Sequence, residues 1–381
     1  MSAALGVLML SGCADGSPEV EIVLDERPST TTAVTAVPTN PTLASPSTAP
    51  ITTRAPVSGP WVSAASNLLD LQRTCGDMSY VWSRPGRDFL VASIHQQGLF
   101  GSENGADTWT PLGTGDGSDG IVNAATAFVQ DPDNPGTFWE AGIYGGGGVY
   151  RTDDDGATFH QLGDLGHIDA VSVDLSDPTR RTLLAGMHET SRLFRSTDGG
   201  ETWVEISTSL PPGIGVPQNH LVIDAQTHLL GTHSGDAAGI YRTTDGGATW
   251  SLVHDGGVIG APVRATDGTL YWLLESDGVV ASIDAGISWA YAGGSRSVDP
   301  HAASLVELPD GRLATYGDRH VVVSANGGAT WLRVGLELPF EPNGLTYSPF
   351  RKAFYVWRFA CGEDGTMADS LMRLDFDYET N

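Results

Sequence analysis

Ser196-Thr197-Asp198-Gly199-Gly200-Glu201-Thr202-Trp203 is a compact turn set between two apolar runs, and it has relatives along the chain. The pattern Ser/Thr-x-Asp/Asn-x-Gly/Ala-x-Thr/Ser-Trp/Phe also begins at Ser102, Thr152, Thr243, Ser282 and Ser324. Successive copies stand 50, 44, 47, 39 and 42 residues apart. A repeat of about 40–50 residues with strand-like flanks predicts a β-propeller array.

Each copy reads as a hairpin turn. The carboxylate or amide at Asn104, Asp154, Asp198, Asp245, Asp284 and Asn326 can accept hydrogen bonds from backbone N–H groups one or two residues on. The following glycine supplies positive φ without a Cβ clash. The Trp or Phe opens the next strand and is large enough to wedge between neighbouring sheets. The repeated acidic side chains therefore read as turn staples. They are not taken as metal ligands or catalytic carboxylates.

The repeat resembles the Asp-box (BNR) motif of sialidases, xyloglucanase-type glycoside hydrolases, sortilin-type receptors and photosystem assembly factors, over roughly residues 77–337. The resemblance implies an all-β propeller whose boxes join the third and fourth strands of each blade, on the face opposite the ligand site. Sialidase-type members place an Arg-Ile-Pro signature before the first blade. Here Arg84-Pro85 stands in the turn after the first strand. Xyloglucanase-type members carry a catalytic Asp after the second strand of the first blade, where this chain has His95-Gln96.

Aligned on the boxes, the chain divides into six units, at about 77–115, 119–165, 166–209, 218–256, 258–295 and 299–338. Residues 343–376 supply three more strands and no box. A closing strand from residues 61–72 completes a seventh blade and leaves no exposed sheet edge. The fold class expected is a seven-bladed β-propeller over residues 59–381.

The N-terminal region reads differently. Residues 3–10 are a short apolar run ending in Leu10-Ser11-Gly12-Cys13, which looks like a bacterial lipobox within a signal peptide of residues 1–13. Cys13 is then the lipidated residue. Residues 14–58 are rich in Thr, Pro, Ser and Ala, a composition that cannot bury a core. At roughly 3.1 Å per residue this linker reaches up to about 140 Å. No later stretch has the length of apolar sequence needed to span a bilayer. The reading is an exported lipoprotein, monomeric, touching the membrane only through its anchor. Cys75 and Cys361, at the two ends of the globular part, are expected to pair as a disulfide across the closing seam.

With 46 acidic against 20 basic residues and a net charge of −26, the chain lacks the basic clustering that nucleic acid requires. The candidate site is the mouth that collects the loops between second and third strands and between blades. Seven of ten histidines map there: His95, His167, His188, His220, His233, His301 and His320. The ligand-binding face is drawn from His95, Tyr144, His188, His233, Glu275, His301, Arg319 and Arg358.

Three readings stay open. One is a divalent-metal site on His188, His233 and Glu275. Another is hydrolysis of a glycan by two carboxylates among Asp169, Glu189, Asp236, Glu275 and Asp318, with Arg264, Arg319 and Arg358 as a possible cluster. The leading reading is recognition of a glycan or an envelope protein, without a cofactor. Residues 145–148, all glycine, read as a tight loop between strands. The Leu210–Pro217 insertion and residues 358–370 are placed to overhang the mouth.

Overall fold

The computed structural model describes residues 60–71, 78–115, 121, 123–233, 236–275, 278–292, 304–359 and 370–379. Cys13, Cys75, Cys361 and His301 lie outside the described residues, as does the span 1–59. The structure therefore leaves the lipid anchor and the disulfide untested.

The described strands form seven four-stranded antiparallel sheets. The chain enters with β1 (Val62–Ser63). Blade 1 follows as β2 (Tyr80–Ser83), β3 (Leu90–Ile94), β4 (Gly98–Ser102) and β5 (Thr110–Pro111). Blade 2 is β6 (Ala124–Gln130), β7 (Phe138–Ile143), β8 (Val149–Thr152) and β9 (His160–Gln161). Blade 3 is β10 (Ile168–Val173), β11 (Leu183–Met187), β12 (Leu193–Ser196) and β13 (Val204–Glu205). Blade 4 is β14 (Asn219–Val222), β15 (His228–Thr232), β16 (Gly239–Thr243) and β17 (Ser251–His254). Blade 5 is β18 (Val258–Arg264), β19 (Leu270–Leu274), β20 (Val279–Ser282) and β21 (Ala290–Tyr291). Blade 6 is β22 (Val306–Glu307), β23 (Leu313–Gly317), β24 (His320–Ser324) and β25 (Leu332–Val334). Blade 7 is β26 (Gly344–Ser348), β27 (Ala353–Trp357) and β28 (Leu371–Asp375), completed by β1.

The seam closes as the sequence predicts, by pairing Val62 with Arg373 and Ser63 with Met372. The closing strand is much shorter than the expected 61–72. After Ser63 the chain turns inward, and Ser66–Asp70 form a 3-10 helix. The reason is burial: Ala64, Ala65 and Leu68 pack against Trp109 of blade 1. Continued strand would have left them in solvent.

The second strands are buried along almost their whole length, without alternation. All five residues of β27, Ala353-Phe354-Tyr355-Val356-Trp357, are buried. A strand inside a stacked blade is covered on both faces, so it has no solvent side to make polar. The outer strands show the opposite, with Val204 and Glu205 of β13 both exposed. The clusters fill the gaps between blades. Trp139 of blade 2 packs with Ile168, Val171, Leu183 and Ala185 of blade 3. Val258 and Trp272 of blade 5 pack with Leu229 and Ile240 of blade 4. Gly231 is required by that contact, since a Cβ there would meet the Trp272 ring at 2.4 Å.

The boxes are turn staples, as their chemistry suggests, but the bonds reach further than an Asx turn. Asp198 Oδ1 accepts from the N–H of Thr202, four residues on, at 3.0 Å. Its other oxygen accepts from the Thr202 hydroxyl at 2.5 Å. Ser196 Oγ accepts from the Gly200 N–H at 2.8 Å. The Thr202 and Ser196 bonds hold the Asp198 carboxyl down at about 2. Asn104 and Asn326 accept from the N–H groups of Thr108 and Thr330 in the same way.

Candidate functional site: a tyrosine–histidine row at the mouth

The loops after the second strands and the residues entering the first strands share one end of the sheets. Four side chains from three consecutive blades meet there in a row. Tyr144 follows β7, Asp169 sits in β10, His188 follows β11, and Gln218 precedes β14. The Tyr144 hydroxyl donates to His188 Nε2 at 3.1 Å. His188 Nδ1–H donates to Asp169 Oδ1 at 2.8 Å. Gln218 Nε2 donates to Asp169 Oδ2 at 3.0 Å. Both carboxylate oxygens of Asp169 are thus used, which fixes the imidazole tautomer and its orientation.

The row runs from buried to exposed. The Asp169 and His188 side chains are 9% and 13% accessible, whereas Tyr144 is 36% exposed. Burial pushes the Asp169 carboxyl up, while the neighbouring His188 opposes the shift. Burial also pushes the Tyr144 phenol up, and the charges of Glu189 and Asp169 add to it. Glu189 Oε1 stands 3.5 Å from His188 Nε2, so two carboxylates flank one imidazole.

Histidines frame the phenol. The rings of His95, His167 and His188 lie 5.8, 5.8 and 5.3 Å from the Tyr144 ring, the last two edge-on. The Tyr144 N–H also donates to His167 Nδ1 at 3.3 Å. The glycine loop behind Tyr144 is pinned by Tyr150, whose hydroxyl donates to the Gly146 carbonyl at 2.6 Å. Gln96, Tyr144, His167 and Glu189 all take left-handed φ, between 54° and 63°. Non-glycine residues hold that conformation only where their surroundings enforce it. The same φ recurs at Asp318 and Arg319 in the equivalent turn of blade 6, so it belongs to the hairpin turns of the mouth.

Other candidates do not join this row. His233 and Glu275 flank Gly257 between blades 4 and 5, where a Cβ would lie 2.9 Å from Glu275 Oε2 and 3.3 Å from the His233 Cα. Asp318 is turned onto Arg333 at 2.9 Å. Arg319 donates to the Leu338 carbonyl at 3.0 Å and pairs with Glu337 at 3.2 Å. Arg358 lies over the Phe340 ring at 5.6 Å. Arg264 ends β18 and so sits at the opposite end of blade 5 from the mouth. The three arginines therefore do not cluster. His188, His233 and Glu275 form no ligand set either, because both His188 nitrogens are engaged. Among the described residues no three His, Cys, Asp or Glu side chains converge to hold a metal ion.

His220 also departs from the rim. It is buried inside blade 4, with Nδ1 2.6 Å from Ser172 Oγ, and burial lowers it to about 4. The Leu210–Pro217 insertion packs down instead of overhanging. Ile214 joins the core between blades 3 and 4. Pro217 comes so close to Gly186 that a Cβ would lie 2.1 Å from its carbonyl oxygen. That approach delivers Gln218 to Asp169. Gln218 was not anticipated from sequence, where only its place just before a first strand hints at the mouth.

The BNR/Asp-box repeat family matches residues 241–252, which include the box of blade 4. A search of curated protein sequences gave no significant match. By fold the chain is similar to the GH74 enzyme of Niastella koreensis, with a TM-score of 0.54 and 18% identity over 84% of this chain and 54% of that one. It is equally similar to YCF48 from Cyanidioschyzon merolae, with a TM-score of 0.54 and 11% identity over 84% and 99%. The chain spans about half the length of the GH74 enzyme. Identities this low establish a shared fold and nothing finer. The fold is a seven-bladed β-propeller with six Asp-box-type turns, one of which matches the BNR/Asp-box repeat family.

Proposed function

We propose that this propeller recognises a glycan at its mouth, through the row Gln218–Asp169–His188–Tyr144. The carrying observation is that a buried carboxylate and imidazole hold one exposed phenol in a fixed direction. Sugar rings are bound by an aromatic face together with a few converging polar groups, and this row offers both. YCF48, a propeller of the same fold, is described with a bound D1 peptide, so an envelope protein is the competing ligand. The test is a thermal-shift and calorimetric panel of envelope oligosaccharides on the full chain, beside Tyr144→Ala. A ligand at 100 times its dissociation constant adds about 2.7 kcal/mol to stability. The expected result is a shift with at least one glycan that Tyr144→Ala abolishes. A flat panel, with capture of a protein instead, would refute the glycan reading.

Hydrolysis at the same row is the second reading. It is favoured by the two carboxyl groups of Asp169 and Glu189, which stand on either side of one imidazole. A glycosidase needs one protonated and one ionised carboxyl facing the bond. Release of new reducing ends from a bound glycan, lost in Asp169→Asn, would establish it.

We place the propeller at the cell envelope on a lipid anchor at Cys13, as a monomer, because an apolar run and a Thr/Pro-rich spacer precede it. Palmitate labelling that persists in Cys13→Ser would overturn this.

A further inference from the structure

We infer that the glycan taken at this row carries a protonated amine, as a deacetylated hexosamine does. The inference rests on the glycan reading above. It starts from an imbalance of charge. Asp169 is satisfied, with one oxygen on His188 and the other on Gln218. Glu189 is not. Its side chain is 71% exposed, and among the described residues it has no cationic partner, only the edge of the His188 ring.

The nearest basic side chain on its own loop is turned away. Arg192 donates to Glu205 at 2.7 and 3.1 Å and lies over the Phe194 ring at 4.9 Å. Arg319 and Arg358 are held on blades 6 and 7. The His188 Nε2 accepts from the phenol, so that edge of the ring presents Glu189 with no N–H. The left-handed φ of 54° at Glu189 holds this unpaired carboxylate against the row, in a turn that a looser sequence would relax.

The point where a ligand meets Tyr144 is therefore acceptor-rich and negative: the phenol oxygen, the Glu189 carboxylate and, behind them, Asp169. An ammonium has three donors and no acceptor, which matches such a set. It also gains from the adjacent aromatic face. A uronic or sialic acid would bring one more negative charge to a site that already has two. A neutral sugar would leave Glu189 uncompensated. A metal ion is disfavoured by the absence of a converging ligand set among the described residues.

The experiment is calorimetric titration of the full chain with a chitosan oligosaccharide and with its fully N-acetylated counterpart of equal length, at neutral pH. The amine form is expected to bind at least about tenfold tighter, which is about 1.4 kcal/mol. Added salt should narrow the gap, because one partner charge is exposed. Glu189→Gln should remove the preference by weakening the amine form to the level of the acetylated one. Equal affinities, or tighter binding of the acetylated form, would overturn the amine inference and leave glycan recognition standing. A preference that survives Glu189→Gln would overturn it as well. Binding of either sugar that is indifferent to Tyr144→Ala would displace the site and refute both readings.

Discussion

Asn67 and Trp109 bond to each other twice. The Asn67 amide donates to the Trp109 carbonyl at 2.9 Å, and the Trp109 N–H donates to Asn67 Oδ1 at 2.8 Å. The Trp109 indole adds a bond to the Ala64 carbonyl at 3.0 Å. The box of blade 1 is thus latched to the segment that completes blade 7. Asn67→Ala removes both side-chain bonds and leaves backbone groups of Trp109 without them. It should destabilise the ring by about 1–3 kcal/mol, read as a lower midpoint in urea. An unchanged midpoint would mean the latch is decorative.

Arg180 should be the costliest arginine to remove. It is buried, donates to both oxygens of Asp131 at 2.7 and 3.1 Å, and reaches Asp133 at 2.6 Å. Burial alone would raise the Asp131 carboxyl, but Arg180 and Asn134 outweigh it and bring it down to about 2. Arg180→Ala strands a buried carboxylate between blades 2 and 3. The expected loss is about 3–5 kcal/mol. Arg180→Lys should recover only part of it, since an ammonium does not reproduce the fork. Equal stability of the lysine variant and the parent would refute the bidentate account.

Two histidines should give the protein an acid limb. Burial lowers His220 and His228 to about 4, from an ordinary value of 6.5. Between those values the unfolded chain binds protons that the folded chain refuses, so stability falls as pH drops. Going from neutrality to about pH 5 should lose roughly 2 kcal/mol for each histidine. Urea melts at the two pH values read this directly. A limb of the same size in His220→Asn would clear His220 of responsibility.

Glu140 should act at the other end of the scale. It is fully buried in β7, and burial raises its carboxyl to about 8, with the Asn123 amide opposing. Above the ordinary carboxylate range the unfolded chain has lost a proton that the folded chain keeps. Stability therefore declines as pH rises towards about 8. Glu140→Gln should be more stable than the parent at that pH by on the order of 4 kcal/mol, and the difference should vanish only below the ordinary carboxylate value. A constant difference at all pH values would point to packing as its cause.

What could be read from sequence was what is local. Ser196, Asp198 and Thr202 fall within one turn, so the box and its role were legible, and six boxes fixed the number of full blades. Gln218 and Asp169 are brought together by the descent of the proline-containing loop, which no short pattern encodes. His220 was misplaced by strand phase, because which side of β14 faces blade 3 depends on its neighbour. Arg264 does not reach the mouth because the first strand of blade 5 begins earlier, at Val258, and Arg264 is its far end. The register shifts over a bulge between Ile259 and Val263, and the strand continues to Arg264.

The closing strand has a bearing on synthesis. β1 precedes every other described strand in the chain, and its partner β28 follows them all. Six blades can assemble while β1 waits without a sheet. A chain that stops before Leu371 would carry both an open blade and an orphaned strand, two exposed edges that invite pairing with other chains. The ring is therefore its own proofreader. Only a product translated through β28 can close the ring.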